Sequence, residues 1–105
     1  MKKVYISGPI SGRPPEEYLP HFAKGERDLR NLGYKPVNPT KQFGWLQPLF
    51  KRLPYHLQMV IDLLRLSRCD MILLLNGWKT SRGAKLEKAL ADYRNIPTLN
   101  FYGNW

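Results

Sequence analysis

Glu87 has the sequence setting that most suggests chemistry. Residues from about Arg82 to Arg94 (R-G-A-K-L-E-K-A-L-A-D-Y-R) read as a helix. At about 100° per residue, Lys85, Lys88 and Asp92 gather on one side, while Ala84, Leu86, Leu90, Ala91 and Tyr93 cover the other. Glu87 falls between Leu90 and Ala91, inside the apolar arc. A carboxylate there, one turn from the helix start, is costly unless it is paired or put to use. The structural alternative is an ion pair with an arginine such as Arg94, or a place at the rim of a sheet.

Two loops could hold an anion. Ser7-Gly8-Pro9-Ile10-Ser11-Gly12-Arg13 follows the first apolar run. Asn76-Gly77-Trp78-Lys79-Thr80-Ser81-Arg82-Gly83 leads into the helix that carries Glu87. With Ser81 as N-cap, that helix would present free backbone N–H groups and the positive end of its dipole, which suit a phosphate. Tight α/β turns use the same residue types, so composition alone leaves both readings open. Neither loop matches G-x-x-x-x-G-K-[ST] or G-x-G-x-x-G, which argues against an NTPase or an ordinary dinucleotide site.

The other candidates are weaker. Asp62 joins Gln58 and Arg65 on the narrow polar strip of a mostly apolar helix, the setting of a solvated aspartate. Asp70 precedes an apolar strand and reads as a turn cap after Ser67-Arg68-Cys69. Tyr5 alternates with Val4 and Ile6, so core packing is its default, although its hydroxyl could reach a site. His21 and His56 share no ligand spacing with each other or with carboxylates, so no metal is expected. No motif asks for a cofactor, and the serines show no triad order.

The elements that must position these residues alternate. Lys3–Ser7 reads as a strand closed by Gly8-Pro9, and residues 16–32 as a helix with Tyr18, Leu19, Phe22, Ala23, Leu29 and Leu32 on one side, ending at Gly33. Tyr34–Val37 is a second strand, His56–Arg68 a helix, Met71–Leu75 a fully apolar strand, and Pro97–Phe101 a short last strand. A strand apolar at every position is covered on both faces. The fold class is therefore α/β, with a mostly parallel sheet of four to five strands in a three-layer sandwich. Residues 38–55 carry three prolines with Phe43, Trp45 and Phe50 and no clear period. They read as a lid or an oligomer contact.

Length and charge bound the rest. The 105 residues make one domain, 43% hydrophobic and 24% charged, which excludes wholesale disorder. The size leaves little room for a cleft between subdomains, so an enclosed site should borrow walls from a second subunit of a homo-oligomer. No apolar run approaches the about 20 residues of a membrane span, and the N-terminus has no h-region. With Cys69 the only cysteine, a cytoplasmic location is the default. A net charge of +9, from 17 Lys+Arg against 8 Asp+Glu, favours an anionic partner such as a nucleotide. Nucleic acid itself is not expected, because no binding motif accompanies the charge.

Taken together, V-Y-I-S-G-P-I-S-G at 4–12, V-N-P at 37–39, Asp62, Cys69-Asp70 and G-W-K-T-S-R-G-A-K-L-E at 77–87 resemble the nucleoside 2-deoxyribosyltransferase superfamily. The likeness is to its small members (a domain of unknown function, DUF4406) and covers essentially the whole chain. It implies a flavodoxin-like Rossmann fold and a helix-borne glutamate nucleophile at the sugar anomeric carbon, here Glu87. It also implies an assisting aspartate, here Asp62, and a site tyrosine, here Tyr5. In the branch that hydrolyses deoxynucleoside 5′-monophosphates, the phosphate-contacting positions would be Gly8, Ile10, Ser11, Ser81 and Gly83. That branch has an arginine where Ser11 stands, leaving Arg13 or Arg82 to supply the charge. A polar residue from a neighbouring subunit completes the family's site, and Asn100, Tyr102 and Asn104 are candidates by location. The expectation is an N-glycosidase or 2-deoxyribosyltransferase acting on a nucleoside or its monophosphate. The alternative is a non-catalytic nucleotide-binding module that keeps the pocket.

Overall fold

Lys3–Ser7 forms strand β1, whose residues Val4, Tyr5, Ile6 and Ser7 are buried. In the computed structural model, which describes residues 1–10, 13–41, 48–49 and 52–99, it is followed by α1 (Pro15–Asn31), β2 (Lys35–Val37), α2 (Tyr55–Ser67) and β3 (Met71–Leu74). A 3₁₀ turn (Trp78–Thr80), α3 (Arg82–Tyr93) and β4 (Thr98–Leu99) complete the described elements. The anticipated elements all occur, with ends shifted by a residue or two. Of the expected last strand, residues 100 and 101 lie outside the described residues, as do Phe43, Trp45 and Phe50 of the aromatic segment.

The four described strands pair parallel in the order β2-β1-β3-β4. This is the start of the doubly wound 2-1-3-4-5 arrangement, in which ligands lie beyond the carboxyl ends of the strands where the order reverses. Here the reversal falls between β1 and β3.

Alternation along β1 and β3 supplies a core on each face. On one face Val4, Ile6, Leu73 and Leu75 pack with Phe22 and Leu29 of α1. On the other, Tyr5, Ile72 and Leu74 pack with Leu66 of α2 and Ala91 of α3. The result is a three-layer α/β sandwich. Gly25 lets α1 approach closely, since a Cβ there would sit 3.3 Å from Leu75 Cδ2.

Some wheel assignments change in three dimensions. Leu19 and Leu32 of the α1 stripe are exposed, as are Leu86 and Tyr93 of α3. Asp70 caps no turn: its Oδ2 accepts from the Lys3 backbone N–H at 2.8 Å while its own N–H donates to the Lys3 carbonyl at 2.8 Å. It thereby ties the start of β3 to the start of β1.

Candidate functional site

The two loops singled out as able to hold an anion border one cavity of about 380 Å³. Gly8 and Ile10 come from the end of β1, Pro39 and Thr40 from the end of β2, and Ser81, Gly83 and Ala84 from the start of α3. Helix α2 contributes Tyr55, Gln58, Met59 and Asp62, and α1 contributes Tyr18 and Phe22. Tyr5 and Glu87 line the same space.

Local sequence explains the placement. Ser81 caps α3, its Oγ accepting from the Ala84 N–H at 3.2 Å, so the helix starts at the sheet's carboxyl end and Glu87 arrives just after its first turn. Tyr5 and Ser7 stand two apart on β1 and so project to the same face. Gly83 permits the close approach of α3 to α2: a Cβ there would lie 3.1 Å from the Tyr55 hydroxyl and 3.5 Å from Met59 Sδ. A Cβ on Gly8 would meet Leu75 Cβ at 3.0 Å, so the loop after β1 presses directly onto the core.

Glu87 is 6% exposed, and both its oxygens receive hydroxyl donors. Tyr5 Oη donates to Oε2 at 2.5 Å and Ser7 Oγ to Oε1 at 2.6 Å. Burial pushes the carboxyl up from 4.5 to about 7; the Ser7 and Tyr5 hydrogen bonds pull it down, and the Asp62 charge adds to the rise. The Tyr5 phenol is itself held well above its ordinary value by burial and by the Glu87 and Asp62 charges, so it remains a donor. The neighbours of Glu87 are thus hydroxyls, and neither the Arg94 ion pair nor the rim position applies.

Asp62 is half-buried and lines the cavity. Gln58 and Asp62 of the α2 polar strip face this concavity, and Leu57, Val60 and Leu64 of the same helix are exposed. The structure therefore gathers Glu87, Asp62, Tyr5, Gly8, Ile10, Ser81 and Gly83 around one space. Arg13 and Arg82 are absent from its lining. Arg13 donates to Thr80 Oγ1 at 3.2 Å and approaches Glu17 at 3.6 Å, and Arg82 is exposed. Ser11, Asn100, Tyr102 and Asn104 lie outside the described residues.

Sequence reasoning did not single out Ser7 as a partner of Glu87, or Tyr55 and Met59 as walls. The signal for Ser7 was its spacing from Tyr5: whatever Tyr5 reaches on that face, the residue two further along can reach as well. Chemically, the arrangement offers a carboxyl that changes charge near neutral pH, a second carboxylate, and aromatic walls suited to a flat ring.

The chain matches the family model of a domain of unknown function (DUF4406) over residues 2–99 and belongs to that family. No curated protein and no solved structure matches it. Among the described residues, no helix is long and apolar enough to cross a membrane, and no group of three or more His, Cys, Asp or Glu could hold a metal ion.

Proposed function

We propose that this DUF4406 protein cleaves the N-glycosidic bond of a nucleoside or its 5′-monophosphate, with Glu87 as nucleophile. The observation that carries the reading is the Glu87 carboxyl, 6% exposed and held by two hydroxyls, in a cavity that it shares with Asp62. The motifs that resemble the nucleoside 2-deoxyribosyltransferase superfamily support the same assignment.

In the proposed reaction the ionised Glu87 attacks the anomeric carbon. A carbon–oxygen bond forms as the carbon–nitrogen bond breaks, and the base departs with the bonding pair. A proton reaches the base from Asp62 or from a water hydrogen-bonded to it. Water then attacks the glycosyl ester, returns a proton to the group that gave one up, and restores the Glu87 carboxylate. This is the two-carboxylate logic of retaining glycosidases. A second base in place of water would give transfer instead of hydrolysis. Tyr5 and Ser7 hold the carboxylate in one orientation, and the exposed Tyr55 at the cavity wall is suited to packing against the base. The amide groups at the start of α3, beside Ser81 and Gly83, are suited to a 5′-phosphate.

The test is incubation with a panel of nucleosides and monophosphates, followed by chromatography for free base. Release by the wild type and its loss in Glu87→Ala, with the fold intact by circular dichroism, is the expected result. Release by Glu87→Ala at the wild-type rate overturns it. Calorimetric binding of a nucleotide without any base release favours the binding-module alternative.

A further inference from the structure

We infer that the outward face of α2, with the neighbouring row of α3, is the contact surface for a second copy of this chain. Leu53, Leu57, Val60 and Leu64 from α2 and its approach, and Leu86 and Tyr93 from α3, are each between 37% and 84% exposed. None of them lines the cavity, so the inference stands apart from the glycosidase reading.

These side chains belong to one surface. At about 100° per residue, Leu57, Val60 and Leu64 fall within an arc of about 60° on the side of α2 away from the buried Leu66. Leu53 lies one turn before Leu57. Helix α3 packs beside α2 on the same face of the sheet, with Gly83 set against Tyr55 and Met59. Leu86, Leu90 and Tyr93 follow Gly83 at three, seven and ten residues, so they continue the α2-facing row along α3. Leu90 is partly buried in the core, while Leu86 and Tyr93 emerge beside it. A solvated helix turns its charges outward, and α2 does the reverse. Asp62 lines the cavity and Arg65 is half-buried, and the outward arc holds neither.

Area and charge select the occupant. The exposed parts amount to on the order of 600 Å² of apolar surface, the top of the range for the largest patch of a monomer and most of the about 800 Å² that each partner of a standard interface contributes. Leu57 and Leu64 are symmetric about the bond between Val60 and Ile61. A twofold axis there sets Leu57 of one copy against Leu64 of the other, and the reverse, in an antiparallel pair of helices. Arg68 at the end of α2 and Arg82 at the start of α3 are exposed and stay at the rim, so two copies meet without burying a charge. The net charge of +9 repels at long range, and salt screens that repulsion. An acidic partner, held by the rim arginines, would show the opposite salt dependence.

The test is sedimentation equilibrium of the whole chain over a range of protein and sodium chloride concentrations. A dimer with a dissociation constant of about micromolar order is expected, the scale of a small interface, and it should hold or tighten as salt rises. Leu57→Gln combined with Leu64→Gln, which adds no charge, should weaken association by about a hundred-fold or more, with circular dichroism unchanged. Leu64→Ala, a helix-favouring change at an exposed position, should weaken it in the same direction. Leu19→Gln combined with Leu32→Gln, at exposed leucines of α1, should leave it unchanged. A wild type that stays monomeric throughout overturns the inference, as does equal weakening in the two double variants. A dimer that dissociates as salt rises overturns it too. So does binding to anionic lipid vesicles, lost in the Leu57 and Leu64 double variant, by a chain that forms no dimer.

Discussion

The Ser7 hydroxyl donates to Glu87 Oε1 at 2.6 Å across 80 residues of chain. Together with Tyr5 it fixes both oxygens of a carboxyl that sits on a different element. Each hydroxyl lowers the Glu87 pKa against the opposing effect of burial. Ser7→Ala and Tyr5→Phe should each raise it above about 7, by about one unit or more for a hydrogen bond to a charged group. If ionised Glu87 is the nucleophile, the acid limb of the rate profile moves to higher pH in both variants. A pH–rate series on base release checks this, and an unmoved limb contradicts the assignment.

Asp62→Asn should act in the opposite sense on the same limb. The Asp62 charge raises the Glu87 pKa, so its removal lets Glu87 ionise at lower pH and moves the limb that way. The maximal rate should nonetheless fall by about a hundred-fold, the lower end for loss of a general acid. A variant that changes the rate without moving the limb would separate Asp62 from the electrostatics of Glu87.

Stability should fall with rising pH across the neutral range. Glu87 titrates at about 7 in the folded chain against 4.5 ordinarily. Between those values the folded state holds a proton that the unfolded state has released. The stability gained from this group is full below pH 4.5 and declines as pH rises through 7, by about 3 kcal/mol in total. Glu87→Gln, which cannot ionise, should lack this decline and be the more stable protein at pH 8. Urea unfolding of both proteins from pH 5 to pH 8 measures the difference.

Much of this arrangement was legible because period and burial are written locally. The apolar run Met71–Leu75 marked a covered strand, and Glu87 inside an apolar arc marked a carboxyl that needed partners. Asp62 was harder, because a helical wheel assigns polar residues to solvent and cannot distinguish bulk water from a cavity. On α2, Gln58 and Asp62 face the cavity, while Leu57, Val60 and Leu64 of the same helix are exposed. Arg13 was not legible for a different reason: nearness in sequence to a loop does not fix where a long side chain goes, and here it reaches Thr80 and Glu17.

Two glycines at the cavity should respond differently to the same substitution. A Cβ on Gly8 would meet Leu75 Cβ, Cγ and Cδ1 at 3.0 to 3.3 Å. Leu75 is itself buried in the core and cannot swing away, so Gly8→Ala should destabilise by about 1–3 kcal/mol, the range for overpacking. A Cβ on Gly83 would instead meet the Tyr55 hydroxyl at 3.1 Å, the far end of a side chain on an exposed residue. That ring can shift, and alanine is favoured over glycine in a helix by about 1 kcal/mol. Gly83→Ala should therefore keep or raise the melting temperature while displacing the Tyr55 hydroxyl at the cavity wall, so that KM changes with the fold intact. Thermal melts of both variants, with KM for base release by Gly83→Ala, test the contrast. A Gly83→Ala protein that melts as early as Gly8→Ala would show that α3 and α2 are locked together as tightly as the loop and the core.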